Sequence, residues 1–281
     1  MNDAVSADMR KVIIDRLNEI AAEENVQILF AIESGSRAWG FHSPDSDYDV
    51  RFVYARPVDW HLTLGKKRDV IERPIDDELD LSGWELSKAL TLALSSNAVI
   101  GEWLQSPICY HEAEGAIADL TNFSRRALTR KSVTWHYLSM LRRQQRRLIN
   151  PDGSLRLKRY FYALRPTLAL RWVRLHDQPM PPMAMADLVQ GVSLSDQETD
   201  ALERMTALKK KAREKAKVAV SDPLLDALIL QETEAAEEWL STAGKEGERQ
   251  HLWDEANGHT PTLYTICLPI IPLPLNIAPD S

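Results

Sequence analysis

The sequence predicts an α+β fold, in which a small mixed sheet flanked by helices is followed by a helical C-terminal region. Three observations support this fold class. Residues 26–33, with an apolar run at 28–32, are typical of a buried strand, and a second strand with alternating apolar and polar residues begins near residue 47. Beyond about residue 110, apolar residues recur at helical spacing. We therefore expect the sheet in the first part of the chain and mainly helices in the rest.

The turn and capping residues set the order of these elements. The expected order is an amphipathic helix over about 4–24, a strand over 26–33, a Gly35-Ser36 turn that opens a short helix, a turn at 43–46, a strand beginning at 47, and a helical region after about 110. Within the helical region, residues 195–198 fit a capping box and Asp222-Pro223 fits the start of a helix.

Asp47 and Asp49 are the strongest functional signal in the chain. Because the side-chain period of a strand is two, both carboxylates project from one face, while Tyr48, Val50 and Phe52 point toward a core. Magnesium prefers oxygen ligands and is commonly held by one or two carboxylates together with substrate phosphates. The preceding Gly-Ser turn offers backbone N–H groups to anionic oxygens. This order of strand, turn and Asp-x-Asp favours metal-assisted nucleotide chemistry over a solvated turn carboxylate.

Composition limits the function classes. The chain has 281 residues, 44% hydrophobic and 27% charged, which is enough to bury a sizeable core. Its two cysteines, Cys109 and Cys267, lie in no Cys/His cluster, so we expect neither a zinc site nor a disulfide framework. The N-terminus lacks the pattern of a secretory signal, and no apolar stretch is long enough to span a bilayer. We therefore expect a cytoplasmic protein with no membrane partner.

Charge is segregated along the chain. Between Arg125 and Arg174 there are fourteen Lys or Arg residues and one acidic residue, Asp152, a net charge of +13; the whole chain carries −7, so the remainder carries −20. This block favours a polyanionic partner, although a solvated helix face beside an acidic neighbour produces the same pattern. RNA is the partner to test first, through phosphate contacts that depend on salt and little on sequence.

Two helical faces within this block carry candidate contacts. Lys158, Tyr162 and Arg165 fall at i, i+4 and i+7 and so share a face, where the cations suit phosphates and tyrosine suits a base. Pro166 predicts a kink or restart that directs Arg165 toward the cleft; the alternative is a surface helix whose long side chains extend to solvent. The basic residues of the preceding helix are Arg142, Arg143, Arg146 and Arg147.

Two neighbouring patterns have plain structural explanations. Trp135 and His136 offer stacking beside the arginines, but a tryptophan next to a helix more often belongs to the core. The lysine-rich stretch from Lys209 to Lys217 alternates with apolar and acidic residues, which favours a solvated face.

The Gly-Ser turn followed about ten residues later by Asp-x-Asp resembles the hallmark of the DNA polymerase β-type nucleotidyltransferase superfamily. The longer string at 35–54, GSRAWGFHSPDSDYDVRFVY, more narrowly resembles the predicted nucleotidyltransferases associated with RNA-repair ligase operons. Later segments that resemble this subgroup are DLSGWELSKAL at 80–90, SN at 96–97, EWLQSP at 102–107 and KRYFYALRP at 158–166. The resemblance covers roughly residues 10–240.

This resemblance implies a third carboxylate on a neighbouring strand, which completes the metal site and orients the attacking hydroxyl. Glu78 and Asp80 face the same side of the alternating segment 78–82, so periodicity does not choose between them. The short side chain of Asp80 and its Asp-Leu-x-Gly-Trp context favour Asp80. The resemblance also implies that Asp47, Asp49 and Asp80 hold Mg2+ or Mn2+, with two cations clamping the attacking and leaving oxygens. The residues then expected at the nucleotide are Gly35, Ser36, Arg37, Lys158, Tyr162 and Arg165.

The expected function is a metal-dependent nucleotidyltransferase that moves a nucleoside monophosphate from a nucleoside triphosphate to an acceptor, such as an RNA end in RNA repair. The alternatives are a non-catalytic nucleotide- or RNA-binding regulatory protein and a toxin–antitoxin-type enzyme that modifies tRNA or protein. Expected partners are the triphosphate, an RNA acceptor at the basic region and a protein of an RNA-ligase pathway. The expected domains are a catalytic domain over 1–118, a helical, partly basic substrate-binding domain over 119–245, and a C-terminal arm or tail over 246–281.

Overall fold

A computed structural model describes residues 4–65, 67–74, 78–149, 154–213, 217–218 and 221–244. The helices are α1 (Ala7–Glu24), α2 (Gly35–Trp39), α3 (Val58–Leu62), α4 (Leu86–Leu94), α5 (Ala98–Trp103), α6 (Ala116–Ala127), α7 (Arg130–Gln145), α8 (Leu157–Leu175), α9 (Met185–Gly191), α10 (Asp196–Lys211) and α11 (Pro223–Thr242). The strands are β1 (Gln27–Glu33), β2 (Tyr48–Ala55), β3 (Val70–Glu72), β4 (Leu79–Glu85), β5 (Cys109–Glu112), β6 (Leu155–Arg156) and β7 (Lys217–Val218). The predicted α+β class is confirmed.

Five strands form a mixed sheet in the order β3-β4-β2-β1-β5. β1 is antiparallel to β2 and β5, and β3 is antiparallel to β4, whereas β2 and β4 run parallel. The parallel register places Asp49 of β2 opposite Asp80 of β4. β2 and β4, which are distant in sequence, therefore begin at the same end of the sheet. Each carries an acidic residue near its start.

Each face of the sheet has its own helical cover. On one face, α1 packs Ile13, Leu17 and Ile20 against the sheet residues that include Val50 and Phe52. On the other face, α4, α5 and α6 cover the later part of β2, where apolar side chains begin at Val53. The first half of β2 carries Asp49 and Arg51 on this second face, because burial alternates along the strand. The face under α1 is thus mainly apolar, and the other face has a polar corner at the start of β2.

The helical region packs directly against the short helix α2. Trp39 and Phe41, at and just after the end of α2, belong to the same apolar cluster as α7, α8, α10 and α11. The ring of Tyr162 on α8 lies 5.1 Å from that of Trp39, and Phe161 lies 5.1 Å from Phe41. This packing brings the start of α8 to the polar corner of the sheet.

Several local predictions can be compared with the structure. Ser195 caps α10 in a reciprocal capping box with Glu198, and Asp222 caps α11 with Pro223 in its first turn, as predicted. Of the two alternatives at Pro166, a kink or a restart, the restart is wrong, because α8 continues through Pro166 as one helix.

Lys209 also differs from its prediction. It is only 1% exposed, and its ammonium donates to the hydroxyl of Ser43 instead of facing solvent. The remaining lysine-rich stretch beyond Arg213 lies largely outside the described residues. Lys209 therefore joins α10 to the turn that precedes β2.

Helix α6 spans the expected boundary between residues 118 and 119. Its buried residues Ala116 and Leu120 pack with the sheet, so the sheet region extends through α6. The expected C-terminal arm over 246–281 falls outside the described residues. Among the described helices, none combines sufficient length with sufficient apolar content to cross a membrane.

Candidate nucleotide and metal site

Asp49 and Asp80 lie side by side at the polar corner of the sheet. Their side chains are 27% and 30% exposed. Arg51 lies between them: its Nη2 is 3.4 Å from Oδ1 of Asp49 and 2.7 Å from Oδ2 of Asp80. Its Nη1 also donates to the backbone carbonyl of Asp80 at 2.8 Å. Sequence reasoning missed Arg51, although the same two-residue alternation that aligns Asp47 with Asp49 places Arg51 on their face.

Asp47 lies immediately before β2 and is partly buried. Burial raises the pKa of Asp49, and the charges of Asp80 and Asp47 raise it further, whereas Arg51 and Lys158 oppose the shift. Asp49 therefore lies within electrostatic range of two other carboxylates and two cations. The structure brings Asp47, Asp49, Asp80 and Lys158 into one neighbourhood, although they come from four separate positions along the chain.

Glu78 is placed differently from Asp80. It is exposed and precedes β4, and its backbone carbonyl accepts a hydrogen bond from the N–H of Tyr48 at 2.7 Å. Asp80, in contrast, sits opposite Asp49 in the ladder. The register that sequence periodicity left open therefore puts Asp80 at the corner.

Gly35 is required by its surroundings and by its backbone. Its φ is +60°, in the left-handed region that favours glycine. A Cβ at this position would lie 2.0 Å from Oδ2 of Asp49, so the carboxylate rests directly against the turn. Ser36 is buried, and its carbonyl accepts from the N–H groups of Gly40 and Phe41. The Gly-Ser turn is therefore a close neighbour of Asp49.

Glu33 supports Asp49 from beneath and was not predicted. Its side chain is fully buried; Oε1 accepts from the backbone N–H of Asp49 at 2.9 Å, and Oε2 accepts from the hydroxyl of Tyr110 at 2.5 Å. Burial raises the pKa of Glu33 to about 7, although both hydrogen bonds oppose the shift. The available sequence signal is a charged residue that closes an otherwise apolar strand.

Arg37 has a structural role that differs from the expected nucleotide contact. It is 6% exposed, and its three guanidinium nitrogens donate to the backbone carbonyls of Ala4 at 2.7 Å, Ser46 at 2.5 Å and Asp47 at 3.2 Å. The guanidinium also lies 3.7 Å from the ring centroid of Tyr48. Arg37 therefore positions the loop that carries Asp47, and this burial removes it from the set of expected ligand contacts.

Arg165 is likewise turned into the protein. It is fully buried; Nη1 lies 2.8 Å from Oε1 of Glu102, and Nε and Nη2 donate to the carbonyl of Met183. Its guanidinium stacks 4.6 Å from the ring centroid of Trp39. The residues of α8 around Pro166, including Ala163, Leu164 and Thr167, are also buried, so this part of the helix lies in the core. The expectation that Arg165 contacts nucleotide is corrected accordingly.

Lys158 and Tyr162 lie nearer the site. Lys158, in the first turn of α8, is partly buried and acts on the charge of Asp49. Its Nζ lies 5.7 Å from the ring centroid of Tyr162, which in turn packs edge-on against Trp39. Of the three residues on the expected α8 face, Lys158 approaches the carboxylates, Tyr162 forms the wall behind it, and Arg165 is buried.

The donor set has a clear metal preference. Within the described ranges, no three His, Cys, Asp or Glu side chains form a group able to hold a metal by themselves. Magnesium, however, is usually bound through one or two carboxylates plus substrate phosphates rather than by an all-protein cage. Asp49 and Asp80 offer only oxygen donors, which suit hard cations such as Mg2+ or Mn2+. The two carboxylates therefore fit part of the coordination shell of such a cation, at the place where the Arg51 guanidinium now contacts both of them.

The basic block separates into two groups. One group is paired with acids: Arg142 with Glu237 at 2.6 Å, and Arg174 with Glu232 at 2.7 Å. The other is exposed and comprises Arg143, Arg146, Arg147 and Arg156. Trp135 is 48% exposed, so the core position favoured for it from sequence is wrong.

A family model agrees with the resemblance carried by the motifs. The family model described as RlaP, RNA repair pathway DNA polymerase beta family, matches residues 9–260. The uncharacterized protein YcgL of Bacillus subtilis (strain 168) is 38% identical over 233 residues, which are 82% of this chain and 89% of that protein. A solved nucleotidyltransferase-like protein from Exiguobacterium sibiricum 255-15 aligns with 82% of this chain and 75% of its own at 14% identity and a TM-score of 0.29. The chain belongs to the RNA repair pathway DNA polymerase beta family.

Proposed function

We propose that this protein is a metal-dependent nucleotidyltransferase that transfers a nucleoside monophosphate from a nucleoside triphosphate to a hydroxyl of a polynucleotide. The observation that carries the proposal is the β2–β4 register, which sets Asp49 opposite Asp80 beside a glycine turn with no room for a Cβ. Family membership supports the reaction class. The exposed arginines support a polyanionic acceptor.

In the proposed reaction, the acceptor hydroxyl oxygen forms a bond to the α-phosphorus. The bond from that phosphorus to the oxygen bridging the α- and β-phosphates breaks, and pyrophosphate leaves with the electron pair. Asp80, whose side chain is 30% exposed, receives the hydroxyl proton and passes it to solvent. A divalent cation held by the aspartates would neutralise the charge that develops on the phosphate oxygens.

The protein's own residues position the reactants. Asp47 and Asp49 would hold the divalent cation that accompanies the triphosphate, and Glu33 accepts a hydrogen bond from the backbone N–H of Asp49. Lys158 donates to the phosphates as a point charge. Arg51 exchanges its carboxylate contacts for a phosphate oxygen when the substrate enters, because the guanidinium fork suits either anion. Gly35 and Ser36 face the triphosphate at the turn.

One observation favours a second candidate, a nucleotide-binding regulatory protein without turnover. Arg51 bridges Asp49 and Asp80, and a guanidinium that keeps this position competes with a cation for both carboxylates. Such a protein binds triphosphate but transfers nothing. The two candidates therefore differ in a single measurable product.

The test is incubation of the purified protein with α-labelled triphosphates, Mg2+ and oligonucleotide acceptors, followed by separation of labelled acceptor. Asp80→Asn is expected to lower transfer about 10²-fold or more, in line with the loss of a group that acts in the transition state. Glu78→Gln is the matched control, since it neutralises an exposed carboxylate two residues away. Triphosphate binding without label transfer at any metal tested supports the regulatory candidate and contradicts the enzyme proposal.

A further inference from the structure

We infer that Trp135 and the exposed arginines at the junction of α7 and α8 form a docking track for a single-stranded polynucleotide, which leads the strand toward Asp49. The arginine track consists of the exposed Arg143, Arg146, Arg147 and Arg156, together with the half-buried Arg159 beside them. The delivery of the strand's end to the carboxylates as an acceptor rests on the proposed function. Binding of the strand itself does not depend on catalysis.

The exposed arginines of the track lack acidic partners among the described residues. The guanidinium groups of Arg143, Arg146, Arg147 and Arg156 have no ion-pair partner among the residues that the structure describes, and all four are exposed. The neighbouring Arg142, in contrast, pairs with Glu237 of α11. A cluster of exposed arginines without acidic partners costs free energy, because the like charges repel each other. Such a cluster is typical of a surface that binds phosphates.

The end of α7 and the start of α8 form one continuous surface. Nη1 of Arg159, in the first turn of α8, donates to the backbone carbonyl of Arg147 at 2.6 Å. Ile149 and Leu155 form a backbone bridge, which holds the end of α7 against the strand that precedes α8. The arginines at the end of α7 and those at the start of α8 therefore belong to one surface. Lys158, in the first turn of α8, is also within electrostatic range of Asp49.

Trp135 presents an exposed aromatic ring on α7. Positions 135, 139, 143 and 146 recur at helical spacing, so Trp135 shares a face of α7 with Arg143 and Arg146. With a rise of 1.5 Å per residue, the ring lies about 16 Å along the helix from Arg146. An apolar ring that is 48% exposed on a basic face is suited to stack on a nucleic-acid base.

Together these features favour a single strand over a duplex. Stacking on an aromatic side chain requires an unpaired base with an open face, whereas a duplex hides its base faces. The strand runs along α7 from Trp135, crosses the arginines at the α7–α8 junction and delivers its end past Lys158 to the carboxylates.

The test is fluorescence anisotropy with labelled single-stranded RNA, single-stranded DNA of the same sequence and duplex RNA, over a range of salt. The triple variant Arg143→Glu, Arg146→Glu, Arg147→Glu is expected to lose roughly tenfold or more in affinity for the single strand and to lower the salt slope by about 2, near 0.7 per lost phosphate contact. The matched control is Lys11→Glu, Lys210→Glu, Lys211→Glu, which changes the charge by the same amount at exposed lysines elsewhere.

Stacking is tested separately. Trp135→Ala is expected to weaken single-strand binding about fivefold to a hundredfold, and Trp135→Phe to retain most of it. Unchanged binding by the triple arginine variant, an equal loss in the lysine control, or preference for duplex RNA would overturn the inference. Equal binding of DNA and RNA supports a track that reads strand and charge, and tighter RNA binding supports one that also contacts the 2′-hydroxyl.

The double variant Asp47→Ala, Asp49→Ala separates this inference from the proposed function. It is expected to bind the single strand like the wild type, because the track lies outside the carboxylate site. If no condition yields nucleotidyl transfer but the arginine and Trp135 effects hold, the transferase proposal fails and the docking track stands. If transfer occurs but those variants bind normally, the reverse conclusion follows.

Discussion

Substituting Gly35 by alanine tests the central geometric claim, the direct contact of the turn with Asp49. Gly35 has a φ of +60°, and an alanine Cβ at this position would meet Oδ2 of Asp49 at 2.0 Å. Ordinary van der Waals contact at such a Cβ begins near 3.4 Å, so the carboxylate must shift by at least about 1.4 Å. The substitution therefore moves a proposed ligand without changing any charge.

Two effects of different size follow. Holding alanine in the left-handed region costs about 1–2 kcal/mol, which lowers the melting temperature by several degrees in a chain of this size. Displacing a reacting or coordinating group by about 1 Å costs on the order of 10²-fold in rate. We expect Gly35→Ala to lose transfer activity about 10²-fold while most of the protein remains folded at 25 °C.

Gly40→Ala is the matched control. Gly40 also has a positive φ, +87°, but an added Cβ has nothing within 4 Å. Thermal unfolding and label-transfer rates should be measured for both variants. The reasoning predicts similar melting temperatures for the two and a rate loss only in Gly35→Ala. Equal activity of the two variants would refute the claim that Asp49 must lie against the turn.

Three further predictions concern buried or partly buried charges. Burial raises the pKa of Glu33 from 4.5 to about 7, so between these pH values the native state binds a proton that the unfolded state has lost. The free energy of unfolding should therefore fall by about 3 kcal/mol as the pH rises through that window. Urea unfolding of Glu33→Gln should lack this slope, and parallel pH profiles for variant and wild type would contradict the assignment. Arg165→Met leaves Glu102 buried without its partner and should lower the free energy of unfolding by about 3–5 kcal/mol; a stable variant with selectively weaker triphosphate binding would instead return Arg165 to the nucleotide site. Lys158→Ala should weaken Mg2+-triphosphate binding about tenfold or more by equilibrium titration, as expected for loss of a hydrogen bond to a charged group, with little change in melting temperature; unchanged affinity would place Lys158 outside the site.

Much of the fold follows from local patterns. The apolar run before Glu33, the alternation of Tyr48, Val50 and Phe52, and the capping box at Ser195 each depend on neighbours within a few residues, and each was predicted from the sequence. The same alternation indicates which face of β2 bears the carboxylates. The superfamily is readable from the spacing of the Gly-Ser turn and Asp-x-Asp, and the narrower family from the longer string at 35–54 and the later matching segments.

What the sequence by itself determined was therefore the type of the principal elements, the face of β2 that bears Asp49 and the family to which the chain belongs. Only the tertiary structure decided which strand lies beside β2, and hence that Asp80 and not Glu78 stands opposite Asp49. It also decided that Arg37, Arg165 and Lys209 are buried against partners while Trp135 is exposed. The physical reason is that periodicity describes a residue's orientation on its own helix or strand, whereas burial and charge compensation depend on groups supplied by distant parts of the chain.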